Sequence, residues 1–404
     1  MKLSAFDYTL PPDRIAQQPM SARDHSRLLH LKRDKGMAEG KTEGMTKGTV
    51  GSESLAVGSE SLAGSAGSVM HRRFYDLPDL LHSGDVLVIN DTKVLPVRLH
   101  GHKTTGGQAE ILLTKRLAGV GQVETWEALT KPGLKPGQTV IVRDHTAGEV
   151  STVKDTKFEL TITCLEAQDY TRKVEVSTKA DDVLQSLYHL GEMPTPPYIK
   201  EFVGDPKRYQ TIFATNPGSA AAPTAGLHFT PELMSTLEEK GIVIVRLTLD
   251  VGLGTFLHVT TPEISQHKMH SERFTISQSS ADTINLTLKE NRRVIAVGTT
   301  SLRSLEASAI EQNNYPNGWS VQAQTSETEL FVYPPYRFKI ASALITNFHL
   351  PKSTLLMLIS AFTSAPQTNE TFTTFKESWL GQAYQIAIDQ EYRFFSFGDA
   401  MFIE

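Results

Sequence analysis

The strongest apolar pattern in the chain is interrupted at an informative place. In "ALITNFHLPKSTLLMLISAF", Ala343 to Phe362, two runs apolar enough to need burial flank a polar cluster of Thr346, Asn347, His349, Lys352, Ser353 and Thr354. The first run reads as a buried strand and the second as a buried helix. The polar cluster is then the loop between them, with Ser353 or Thr354 as the helix cap. The same grammar recurs in "RVIAVGTTSLRSLEAS", where Gly298, Thr299, Thr300 and Ser301 follow a buried strand and open a helix. "IVIVRLTLDVG" reads as a further strand. The helix before it, "HFTPELMSTLEEKG", has Thr230 to cap it, Pro231 in its first turn and Gly241 to end it. Strands that run into polar loops and then helices predict a mostly parallel sheet.

Upstream the period changes. From Asp85 to about Val176, short β-rich runs alternate with turn signals: "VLVIN", "AEILLTKRL", "ETWEALT", "KPGLKPGQTVIV" and "KFELTITCL". That spacing predicts a small barrel or sandwich. The expected fold class is therefore α/β: a large mixed α/β domain made of residues 1–84 and 181–404, with a smaller β-barrel-like domain, 85–180, inserted into it. One stretch fits neither. Asp34 to Val69 is rich in Gly, Ser and Glu, lacks aromatic residues and repeats "GSESLA". It offers too little apolar surface to offset its ordering entropy, so a flexible excursion is expected, with a partner-docking arm as the alternative.

Composition narrows the class. With 404 residues, 39% hydrophobic and 21% charged, the chain can bury a large core and is neither fibrous nor disordered. Its one cysteine, Cys164, excludes an internal disulfide framework and a multi-cysteine zinc site, and fits a reducing compartment. "MKLSAFDYTLPPDR" lacks the apolar region of a signal peptide, and no run reaches the roughly 18 apolar residues of a spanning helix. A cytoplasmic protein without membrane contact is expected. The net charge of −5 argues against a non-specific nucleic-acid binder, yet leaves room for a local basic surface.

Candidate chemistry sits in the loops. In open α/β sheets ligands bind at the carboxyl ends of the strands, and helix-start amides beside hydroxyls and a carboxamide suit a ribose or a carboxylate. Capping accounts for Thr300, Ser301 and Ser353 equally well. Asn347 and His349, set between apolar neighbours, are harder to explain as caps. "GSAAAPTAGLHFT" is a small-residue loop containing Thr224 that delivers His228 just before a helix. "QHKMHSERF" offers His267, His270 and Glu272, a set that suits a general base or a metal. No zincin spacing is present and Cys164 is remote in sequence, so no metal is expected. "VINDTKVLPVRLHG" places Asn90, Asp91 and Lys93 at a strand end, where turn chemistry is a sufficient explanation for Asn-Asp. Residues alone lead to an α/β enzyme with a ribose- or nucleotide-like ligand.

Taken in order, "FDYTLPPDRIAQQP", "RDHSRLL", "LVINDTKVLPVRL", "AAPTAGLHFT", "HKMHSERF", "VGTTSLRSLE", "ALITNFHLPKSTLLMLISAF" and "GDAMFI" resemble the S-adenosylmethionine:tRNA ribosyltransferase-isomerase family of queuosine biosynthesis. The resemblance spans nearly the whole chain except the Gly/Ser-rich stretch. It implies transfer and rearrangement of the ribosyl part of S-adenosylmethionine onto 7-aminomethyl-7-deazaguanine at the tRNA wobble position, giving epoxyqueuosine, adenine and methionine. It implies no cofactor, because S-adenosylmethionine is consumed as a substrate. The partners implied are this tRNA and S-adenosylmethionine, with a monomer favoured.

Such chemistry needs a base for the ribose 5′ proton, an acid for the leaving adenine and groups that grip the sugar. The matching motifs offer His228, His270, Glu272 and His349 for proton transfer. They offer Thr224, Thr299, Thr300, Ser301, Asn347 and Ser353, with Asn90 and Asp91, for substrate contacts, and Arg98, Arg303 and Lys352 for a carboxylate or phosphate. Two positions depart from the family pattern: Asp250, where His is expected, and Pro335, where Gly is expected. The runner-up reading is an S-adenosylmethionine-dependent RNA methyltransferase, although the usual glycine-rich loop after an N-terminal strand is lacking. A non-catalytic RNA-binding module is less well supported, since no stretch interleaves basic and aromatic residues.

Overall fold

The computed structural model describes residues 1–34, 60–61, 67–143, 158–200, 202, 204–252 and 259–404. The N-terminal strands are β1 (Arg27–Arg33), β2 (Glu60–Ser61), β3 (Gly67–Arg73), β4 (Val86–Asn90) and β5 (Thr92–Val94). The next six are β6 (Arg98–Lys103), β7 (Gln108–Gly119), β8 (Val123–Lys131), β9 (Thr139–Val142), β10 (Leu160–Gln168) and β11 (Thr171–Thr178). The remainder are β12 (Asn216–Ser219), β13 (Val243–Leu249), β14 (Glu272–Ile276), β15 (Val294–Val297), β16 (Ala309–Glu311), β17 (Trp319–Val321), β18 (Gln324–Thr328), β19 (Ala343–Asn347) and β20 (Ala400–Ile403). Among the described residues seven α-helices accompany them: α1 (Leu77–Leu80), α2 (Val183–Leu190), α3 (Pro231–Glu239), α4 (Gln278–Lys289), α5 (Gly298–Ala307), α6 (Thr354–Phe362) and α7 (Trp379–Asp389).

Strands β6 to β11 close into a six-stranded barrel in the order β10-β11-β8-β7-β6-β9. Over the first five residues of β10 the burial alternates residue by residue, and Leu160, Ile162 and Cys164 pack in an apolar interior with Trp126, Val140 and Val174. The chain leaves the barrel close to where it entered: Arg98 and Glu192 exchange backbone hydrogen bonds of 3.2 and 2.9 Å.

The other large element is a ten-stranded sheet, β18-β14-β13-β4-β15-β19-β20-β1-β3-β2. Its centre, β13-β4-β15-β19, is parallel, as expected from the βα pattern. The sheet as a whole is mixed rather than mostly parallel, because β14, β18 and β3 pair antiparallel and β20 enters antiparallel to β19. "VLVIN", assigned above to the β-rich insert, is the central strand β4. All five of its residues are buried, as a strand covered on both faces requires. Alternate residues feed two cores: Val86, Val88 and Ala296 pack beneath α4 to α7, while Leu87, Ile89 and Ile295 pack against Phe229, Leu233 and Leu237 around α3.

The α3 punctuation is as read from the sequence, with Thr230 Oγ1 accepting from the Leu233 amide at 3.1 Å and Gly241 at φ +85°. Most of the Gly/Ser-rich stretch 34–69 lies outside the described residues. Its end does not read as an excursion, because Gly67–Val69 pairs with Leu31–Arg33 and Val69 is buried. Among the described residues no helix is long and apolar enough to cross a membrane.

Candidate functional site

At the carboxyl ends of the adjacent parallel strands β15 and β19 lies a cleft of about 670 Å³, open mouth included. Its walls come from the loops singled out in the sequence. Gly298, Thr299 and Thr300 open α5, Thr346 to Leu350 end β19, Ser353 caps α6, and Thr224 stands in the small-residue loop. Gly298 has φ +84°, a conformation that lets the chain turn from strand directly into helix and that glycine adopts without strain. The turn aims the unpaired amides of the first turn of α5 at the cleft.

Ser353 both caps and lines: its Oγ accepts from the Leu356 amide at 3.1 Å and donates to the Leu350 carbonyl at 2.7 Å. The opposite wall carries Tyr198, Val251, Phe395 and Ser396, none of which any sequence motif suggested. Phe395 sits at φ +70°, a strained setting for a bulky side chain, and its ring packs 5.0 Å from Tyr198. Burial pushes the Tyr198 hydroxyl up to about 12, so it stays protonated, and it shares a 2.7 Å hydrogen bond with Ser396.

The carboxamide of Asn347 is fixed from behind. Its Nδ2 faces both the Asp399 carbonyl (3.4 Å) and Nε2 of His228 (3.0 Å), while its Oδ1 accepts from Thr224 Oγ1 at 3.1 Å. Because a carbonyl can only accept, Nδ2 is the donor on this side and His228 Nε2 is an acceptor. The imidazole proton therefore sits on Nδ1 and is donated to Ser26 Oγ at 2.7 Å. Stacked on Phe74 and fully enclosed, His228 is held neutral: burial first, then the charges of Arg23 and Arg393, depress its pKa to about 3. It does not line the strand-end cleft, and both ring nitrogens are engaged. His228, expected as a proton-transfer group, is thus not brought to this cleft; its ring holds Asn347 from behind. Thr224, having given its proton to Asn347, is left with oxygen lone pairs as its remaining hydrogen-bonding capacity.

His349 does line the cleft. Its Nε2 is 2.9 Å from Thr346 Oγ1, its amide donates to Tyr384 Oη at 3.0 Å, and its carbonyl accepts from Tyr8 at 2.6 Å. Nδ1 has no hydrogen-bond partner among the described residues. Burial depresses its pKa to about 3, so the ring enters any reaction neutral.

The remaining expected residues are not brought to this cleft. His270 and Glu272 line a second cleft between the barrel and the sheet edge, with Lys115, Arg116, Asp250 and Arg273. Glu272 is buried in an ion pair with Arg303 and accepts from the Gly252 amide at 3.0 Å. The pair ties α5 to β14, and neither Glu272, expected in proton transfer, nor Arg303, expected in anion binding, reaches the strand-end cleft. Asn90 bonds its carboxamide to the backbone of Leu249 and Thr92 and donates to Thr300 Oγ1 at 3.4 Å, and Asp91 accepts from Thr248 at 2.7 Å. Both lock strand ends together. Arg98 pairs with Glu110 on the barrel at 3.1 Å, and Lys352 pairs with Asp7 at 2.8 Å. Ser301 is fully buried, with its hydroxyl unpartnered and outside the cleft lining. Asp250 accepts from Thr92 at 3.2 Å, and burial raises its pKa. Among the described residues no group of three or more His, Cys, Asp or Glu side chains is placed to hold a metal.

Residues 3–47 and 61–403 match the family model described as "Queuosine biosynthesis protein". The chain is 42% identical over 407 residues to the S-adenosylmethionine:tRNA ribosyltransferase-isomerase of Moorella thermoacetica, covering 100% of both. It is likewise 42% identical over 411 residues to the enzyme of that name in Desulfitobacterium hafniense, again covering 100% of both. A crystal structure of an S-adenosylmethionine tRNA ribosyltransferase from Thermotoga maritima shares 29% identity at a TM-score of 0.47, covering 99% of this chain and 100% of that one. Matched from near its first residue to its penultimate one, and aligned over their full length with relatives of one name, the chain belongs to the queuosine biosynthesis protein family.

Proposed function

We propose that this protein transfers and isomerises the ribosyl group of S-adenosylmethionine onto 7-aminomethyl-7-deazaguanine at the tRNA wobble position, releasing adenine and methionine. Family membership supports the reaction class, and the strand-end cleft is the observation that carries it to particular residues. Helix-start residues, Thr299, Thr300, Thr224, Asn347 and a neutral histidine line one cleft.

The sulfonium of S-adenosylmethionine acidifies the adjoining 5′ carbon. A base removes that proton, and the electron pair left behind opens the ring at the C4′–O4′ bond; the freed O4′ becomes a carbonyl at C1′ as adenine departs with a proton. The aminomethyl nitrogen adds at C4′ and loses its proton, the electron pair returned to C5′ closes the carbocycle onto C1′, and the alkoxide formed there attacks C5′ to make the epoxide and expel methionine as the neutral thioether. His349 is the group we assign to the proton taken from the ribose, through the unpaired Nδ1. Its depressed pKa keeps it in the accepting form at neutral pH, at the expense of basicity. Thr224, offering lone pairs, accepts a ribose hydroxyl. S-adenosylmethionine is consumed, no resident cofactor is required, and the cytoplasm holds both substrates.

Incubation with labelled S-adenosylmethionine and precursor tRNA tests this directly. Free adenine and methionine are expected in equal amounts. Release of S-adenosylhomocysteine would instead restore the methyltransferase reading, which the names of the relatives do not support.

A further inference from the structure

Behind His228, on the side away from the strand-end cleft, lies a smaller cleft walled by Pro19, Met20, Arg23, Arg208, Ser396 and Gly398. Ser396 lines both clefts, and His228 borders this one while its Nε2 meets Asn347 in the other. One layer of side chains therefore separates them.

Two guanidinium groups, those of Arg23 and Arg208, line this cleft, and a third, Arg393, is close enough to act on His228 electrostatically. Arg23 donates to the carbonyls of Leu227 (3.0 Å) and Lys207 (3.4 Å), and Arg208 to those of Ser21 (3.0 Å) and Met20 (2.6 Å). Arg393 donates to the Gln18 carbonyl. Among the described residues none of the three is in an ion pair, unlike Arg293 and Arg303. The nearby carboxylate of Asp399 is turned to the amides of Arg27 and Arg393, both at 2.8 Å. Burial first, and then the neighbouring charge of Arg208, lowers the Arg23 pKa. In a chain of net charge −5, such a cluster is a local exception. Next to it, the rings of His25 and Tyr75 meet edge-on at 5.4 Å, Tyr75 is 48% exposed, and Arg73 donates to the His25 carbonyl at 3.0 Å.

Guanidinium groups held by neutral carbonyls keep their full charge for an incoming anion, and exposed rings offer a stacking surface for an unpaired base. Building on the proposed function, we infer that Arg23 and Arg208 grip a backbone phosphodiester of the RNA strand beside the modified nucleotide, with the His25–Tyr75 pair as a stacking platform. The phosphate would then sit one side chain away from the cleft that receives the sugar and base.

The test is precursor-tRNA binding across a salt series for the parent, for Arg23→Gln/Arg208→Gln and for Tyr75→Ala. The double variant is expected to bind about tenfold or more weakly, with a salt slope shallower by about 0.7, one single-strand phosphate's worth. Tyr75→Ala is expected to bind about fivefold more weakly with its salt slope unchanged. S-adenosylmethionine binding stays at the parental value in both. Should the double variant melt well below the parent, the exposed Tyr75→Ala variant decides. A parent that releases adenine while both folded variants bind tRNA normally overturns the phosphate cleft alone. A parent that neither binds this tRNA nor releases adenine overturns the proposed function and this inference together.

Discussion

The loop after β19 and the loop before β14 look alike in sequence, each setting histidine among polar groups next to a strand. In the structure they part company. After β19, Asn347 and His349 are braced from behind and keep bonding capacity toward a cleft: Thr224 lone pairs on one side, the unpaired Nδ1 of His349 on the other. Before β14, Glu272 is engaged by Arg303 and the Gly252 amide, deep between helix and strand. The difference teaches where to look for chemistry. Polar groups near strand ends are common; a site needs groups whose remaining valence faces open space.

Four changes would break or sharpen that contrast. The largest effect is expected from Glu272→Ala. Removing one partner of a buried ion pair leaves the other charge enclosed, so unfolding free energy should fall by about 3–5 kcal/mol in urea titrations. Activity per folded molecule should persist. Unchanged stability with abolished turnover would move the catalytic site to the barrel-facing cleft.

Next, His349→Ala should lower turnover by about 10²-fold or more, a loss typical of a general base, while S-adenosylmethionine affinity measured by calorimetry changes less. His270→Ala, from the other loop, is expected to leave turnover within about threefold. Equal losses in the two variants would erase the distinction drawn here.

The smallest effect concerns acid. His228 and His349 are both depressed to about 3 in the folded protein, against an ordinary value near 6.5 in the unfolded chain. Above 6.5 both states are neutral and nothing is gained or lost. Below it only the unfolded chain takes up protons, so stability falls as pH drops from about 6.5 toward 3, by about 1.4 kcal/mol per pH unit for each histidine. His228→Gln should remove one histidine's share of that slope in denaturant melts between pH 7 and 5. An unaltered slope would show that His228 is not enclosed as described.

The strand-end loops were legible because apolar runs broken by polar residues mark the ends of buried strands, and Thr299, Thr300, Asn347, His349 and Ser353 all reach the cleft. The partners that hold them were not. Ser26 lies 202 residues from His228, and Asp399 lies 52 from Asn347. No local pattern carries such pairings. Tyr198, Phe395 and Ser396 were hidden for the same reason, and Phe395 further so because its left-handed backbone leaves no residue-type signature. Central strand β4 was assigned to the wrong unit because its partners β13 and β15 come long after the barrel, and "VLVIN" carries nothing that names them.

The placement of β20 has a consequence for how the protein is made. This strand, last of the ten in the sequence, fills the gap between β1 and β19, and the residue before it supplies the carbonyl that orients Asn347. As the chain emerges during synthesis, β1 waits for a neighbour from the opposite terminus, whereas the barrel closes on contacts local to its own segment. Barrel first and sheet last is the order this topology favours. A nascent or truncated chain lacking β20 has the apolar edges of β1 and β19 exposed and no oriented carboxamide. Such a chain offers a binding surface to chaperones and proteases before it can offer one to a substrate.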